Sequence, residues 1–137
     1  MKKLLLLLAV FILPGVLLAD VLSAPKTCMR VDTGTGKPSG CKKTFKASDK
    51  IHVYSKIQTR GAYKINARFE LQDNTRRNKP ITVDVQTQDD WDYVYFWMTP
   101  KEHDDKFVGT WKIIIYAHDE TGNTTTTETT FEVKEAK

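Results

Sequence analysis

The chain has 137 residues, 28% of them charged and 40% hydrophobic, with a formal net charge of +4. That length allows one domain with its own core. Lys2 and Lys3 belong to an N-terminal leader, and without them the charge is +2. The basic balance is therefore no pointer to nucleic acid. The short basic run "TRRNK", Thr75 to Lys79, reads as a solvated turn, because no wider basic stripe accompanies it.

The leader reads "MKKLLLLLAVFILPGVLLADVLSAPK". A positive start precedes an uncharged run from Leu4 to Ala19, followed by small residues. This is the pattern of a secretory signal peptide, and the run is shorter than the roughly 20 residues that span a bilayer as a helix. The expected division is a signal peptide over residues 1–19, with cleavage as late as Ala24 as the alternative. A single domain over residues 20–137 follows. After cleavage no membrane span is expected, and the product is periplasmic or extracellular. Cys28 and Cys41 both lie in the mature part and flank "MRVDTGTGKPSG", which is rich in turn formers. In an oxidising compartment such a pair is expected to bridge. No Cys-x-x-Cys occurs, and no His stands at a ligand spacing from either cysteine.

Past the leader the dominant period is two, the signature of strands with one buried and one wet face. "KIHVYSKI" aligns Ile51, Val53, Ser55 and Ile57. "YKINARFEL" aligns Tyr63, Ile65, Ala67, Phe69 and Leu71. "PITVDVQT" aligns Ile81, Val83 and Val85. "YVYFWM" sets Tyr93, Tyr95 and Trp97 against Val94, Phe96 and Met98. "TWKIIIYAHD" sets Trp111, Ile113, Ile115 and Ala117 against Ile114, Tyr116 and His118, and a Thr-rich run ends in Phe131 and Val133. Turn signals separate these runs at intervals of roughly ten residues, as in a β-sandwich. With one or two strands around the cysteines, seven or eight strands are expected.

The closing segment "GTWKIIIYAHDETGNTTTTETTFEV" resembles the last hairpin of small exported bacterial immunoglobulin-like domains. Their pattern is G-x-W, alternating apolar residues, D-x-x-G-N and a final F-x-V. "GCKKTFKASDKIHVYSKI" is similar to their early strands. The resemblance implies an all-β fold, an immunoglobulin-like antiparallel β-sandwich, and brings no catalytic residue. Cys28 and Cys41 are too close in sequence to be the inter-sheet disulfide of antibody domains.

Chemistry is sparse. His52 and His118 fall on outward faces by the alternation, His103 lies in a charged loop, and no nucleophile–base motif is present. Asp89, Asp90 and Asp92 stand at one end of the aromatic strand, with Glu102, His103, Asp104 and Asp105 beyond the other. About 10 residues at about 3.3 Å each separate the two acidic groups, too far to share an ion. No metal site, no cofactor and no enzyme activity is expected. "DETGN", Asp119 to Asn123, reads as a hairpin turn.

The aromatic strand is left. Tyr93, Tyr95 and Trp97 could fill the core or form a contact surface, and the alternation alone leaves both open. If the next long strand lies beside it, as sequential strands often do, Ile114 and Tyr116 widen the patch. The expected function is a binding or accessory module acting through Tyr93, Tyr95, Trp97, Ile114 and Tyr116. Its expected partner is a protein, or a second copy. Carbohydrate stacking on the same rings is one alternative. Inhibition of an extracytoplasmic enzyme through the loop "PKEHDDKFVG" is another.

Overall fold

The computed structural model describes residues 21–72, 80–100 and 108–135. The expected signal peptide, the basic turn and the acidic part of the loop after Pro100 lie outside the described residues. Nine strands occur among the described residues, in chain order β1 (Lys26–Asp32), β2 (Lys37–Cys41), β3 (Thr44–Lys46), β4 (Ile51–Lys56), β5 (Lys64–Leu71), β6 (Ile81–Gln86), β7 (Tyr93–Met98), β8 (Gly109–His118) and β9 (Thr124–Lys134). They form an antiparallel β-sandwich of two sheets, with strand orders β2-β1-β4-β7 and β3-β9-β8-β5-β6. One pairing is parallel, β3 with β9.

The period-two runs of β4, β5, β8 and β9 bury the face that their inner apolar residues mark, while Ile81, Val83 and Val85 of β6 are half-buried against the core. Ile65, Ala67 and Phe69 of β5, Trp111, Ile113, Ile115 and Ala117 of β8, and Phe131 and Val133 of β9 line the inner face of the larger sheet. Ile51 and Val53 of β4 and Val94, Phe96 and Met98 of β7 meet them from the smaller sheet. Aromatic packing closes one end. The Trp111 and Phe131 rings lie nearly parallel at 6.3 Å, and Phe45 meets Phe131 edge-on at 5.9 Å. Such contacts add to the area the rings already hide from water.

Three strands, not one or two, surround the cysteines. Cys28 and Cys41 face each other across β1 and β2 and are joined by a disulfide. The "DETGN" segment forms the β8–β9 turn. Asp119 Oδ1 accepts hydrogen bonds from the backbone N–H groups of Thr121 and Asn123, and Gly122 takes the positive φ of 91°. Those bonds hold the Asp119 carboxyl below its ordinary pKa, the Thr121 hydroxyl contributing most.

Candidate functional site: an aromatic strip on the smaller sheet

The alternation of β7 resolves in one direction. Val94, Phe96 and Met98 enter the core, while Tyr93, Tyr95 and Trp97 stand on the outer face. Ring spacing follows from the strand, since alternate residues share a face. Tyr93 and Tyr95 are 6.1 Å apart, and Tyr95 and Trp97 5.7 Å, with interplanar angles of 23° and 31°. The neighbouring strand extends the strip. Tyr54 pairs with Tyr95 and His52 with Trp97 in the β4–β7 register, and Tyr54 lies 5.4 Å from Tyr93. Five rings therefore form one surface on two strands.

One end of this surface is covered. The β1–β2 turn folds across it, so that the Tyr93 hydroxyl donates to the Thr33 carbonyl at 3.5 Å. A Cβ on Gly36, which has φ of 69°, would sit 2.5 Å from the Tyr93 ring. Tyr54, beside Tyr93, is 5% exposed, whereas Trp97 at the far end is 51% exposed. The strip thus runs from covered to open. On the open side, the Lys50 ammonium sits 4.8 Å from the centre of the Trp97 ring. His52 links the strip to the disulfide, since Cys28 pairs with both His52 and Cys41. Burial holds the His52 pKa below its ordinary value, and the nearby Lys50 charge pushes the same way.

The strip also lies on a sheet edge. β7 is the last strand of its sheet, as β6 is of the other, and the two follow each other in sequence. A groove of about 480 Å³ runs beside β7, walled by Trp91, Tyr93, Tyr95 and Trp97, by Asp90 and Asp92, and by Val85 of β6. That is within the roughly 300–1,000 Å³ range of ligand sites. Asp92 is bonded to Arg60 at 3.0 Å, with both side chains mostly in water.

The expected widening of the patch does not occur. Ile114 and Tyr116 lie on β8, in the other sheet, because the chain crosses between sheets after β7. Both are half-buried on that sheet's outer face, where Ile114 stands between Arg68 and Glu128, and Tyr116 between Asn66 and Thr126. His118 is on the same face, with its ring nitrogens 2.9 Å from Asn66 Oδ1 and 2.8 Å from Thr124 Oγ1. His52, Tyr54 and Trp91 are the members of the site that sequence reasoning did not single out. The alternation of "KIHVYSKI" could have indicated the first two, given the β4–β7 pairing. Among the described residues no group of three or more His, Cys, Asp or Glu side chains is arranged to hold a metal ion.

No family model and no curated protein matches the chain. Among solved structures, it is similar to a superoxide reductase (neelaredoxin) from Ignicoccus hospitalis. The TM-score is 0.54 at 11% identity, over 82% of each chain. It also matches the PmoD soluble domain from Methylocystis sp. ATCC 49242 (Rockwell), with TM-score 0.48 and 12% identity over 82% of this chain and 90% of that one. The first likeness is one of fold. It corrects the expectation that the chain is no enzyme, because an enzyme is built on the same sandwich. A fold of this kind does not separate binding proteins from catalysts.

Proposed function

We propose that this protein is an exported, immunoglobulin-like binding module that engages a protein partner through the outer face of its smaller sheet. The observation that carries this reading is Trp97, half exposed at the open end of a five-ring strip on an edge strand. Exposed aromatic clusters mark interaction surfaces, and Trp and Tyr supply most of the binding energy where they become buried. The disulfide fits an oxidising compartment. Among the described residues no helix is long and apolar enough to cross a membrane.

The test compares wild type with a Tyr95→Ser, Trp97→Ser double variant, immobilised and exposed to an extracytoplasmic protein fraction. The variant should keep its circular dichroism spectrum and lose the partner that wild type retains. Equal retention would contradict the reading. So would unfolding of the variant, which would make the rings structural.

A further inference from the structure

The strip's edge and the groove beside it carry more information than exposure alone. Of the four edge strands among the described residues, three are poor templates for pairing. β2 contains Lys37, Pro38 and Gly40, the last with φ of 64°, and proline and lysine are the usual guards of a sheet edge. β3 has three residues. β6 carries a charge, Asp84, in its middle. β7 is different: its six residues, "YVYFWM", hold neither charge nor proline, and no described strand pairs with its outer edge. A regular apolar edge left unguarded invites an added strand.

The charge of the incoming strand is set by what flanks this edge. Residues 81–99 contain Asp84, Asp89, Asp90 and Asp92, and no lysine or arginine. Arg60 takes Asp92, but Asp89 and Asp90 have no ion-pair partner among the described residues. The aromatic walls complement the same ligand class, since ring faces attract ammonium and guanidinium groups. Lys50 over Trp97 is an example within the chain.

We infer that β7 accepts an extended basic segment of a partner protein as a fifth strand of the smaller sheet. Alternate lysine or arginine side chains of that segment enter the groove between Trp91 and Trp97, whose wall carries Asp90, with Asp89 next to it in sequence. Backbone hydrogen bonds along β7 set the register, and the aromatic–carboxylate groove selects the charge. This inference rests on the proposed binding role and names the chemistry of the partner.

The test uses a capped eight-residue peptide alternating Arg and Thr, with two controls: the same peptide carrying N-methyl groups on alternate amides, and its Glu-Thr counterpart. Binding is followed by tryptophan fluorescence, and amide hydrogen exchange is read over Tyr93–Met98. The Arg-Thr peptide should bind and slow exchange along β7. N-methylation, the acidic sequence, and an Asp89→Asn, Asp90→Asn variant should each weaken binding by about tenfold or more, with a shallower salt dependence in the variant. No binding, equal binding of the Glu-Thr peptide, or binding without protection of β7 would overturn the inference. If any of these occurs while Tyr95→Ser, Trp97→Ser still loses its partner, the binding role stands and the basic-strand assignment falls.

Discussion

Phe96 and Trp97 are neighbours on β7, and separate alanine substitutions should have very different costs. Phe96 is 3% exposed and belongs to the core shared by both sheets. Its truncation leaves a cavity, and Phe→Ala changes of this kind cost about 3–5 kcal/mol. Trp97 is 51% exposed. Full burial of an aromatic side chain removes 150–250 Å² from water, so Trp97 hides about 100 Å². At about 25 cal/mol per Å² that is at most about 2.5 kcal/mol. The alanine methyl keeps part of this area covered, which brings the expected loss to about 2 kcal/mol or less. The Lys50 contact, worth about 0.5–1 kcal/mol, is part of that loss. For a domain of this size about 1 kcal/mol corresponds to about 4 °C. Thermal melts followed by far-ultraviolet circular dichroism should therefore fall by about 12–20 °C for Phe96→Ala and by less than about 8 °C for Trp97→Ala. Equal losses, or a larger loss for Trp97→Ala, would refute the assignment of the two faces.

Three further outcomes follow from the same surface. Gly36→Ala places a methyl group against the Tyr93 ring at a left-handed backbone position; it should cost about 1–2 kcal/mol or more and change the near-ultraviolet dichroism of the tyrosines. Replacing both Cys28 and Cys41 by serine releases a loop with a sequence separation of 13; denaturant titration should show a loss of about 3 kcal/mol. His52 is held neutral below its ordinary pKa of 6.5 by burial and by Lys50. Above pH 6.5 both folded and unfolded forms carry it neutral, and its neutrality costs nothing. As pH falls below 6.5 the unfolded chain binds the proton first, so stability drops until the folded pKa is passed. His52→Gln should flatten that part of a stability–pH curve.

How legible the molecule is in its sequence differs from element to element. β5 could be read because it alternates apolar with polar residues, and Ile65, Ala67 and Phe69 are the buried ones; in β8 and β9 the buried sets Trp111, Ile113, Ile115 and Ala117, and Phe131 and Val133, also recur at every second residue. β7 could be recognised as a strand but not oriented, because both its faces are apolar. The side that enters the core is fixed by pairing with β4, a long-range contact. β2 had no periodic signal in "KPSGC"; it is a strand because the disulfide and the turn before it hold it against β1. The placement of Ile114 and Tyr116 beside the strip failed for a topological reason. Sequential strands are usual neighbours, but the chain of a sandwich crosses between its sheets, and one of the crossings here falls between β7 and β8. Tyr54 and the cover of the β1–β2 turn were invisible for the same reason, since both depend on which strand lies beside which.

Oxidative footprinting of the three tryptophans, read by peptide mass spectrometry, tests the central claim most directly. In the free protein Trp97 should be oxidised fastest, Trp91 more slowly and Trp111, 3% exposed in the core, slowest. In the complex with the protein that wild type retains, Trp97 should become protected while Trp111 is unchanged. A Trp97 that reacts as slowly as Trp111 in the free protein, or as fast in the complex as without it, would contradict the account of the strip as a binding surface.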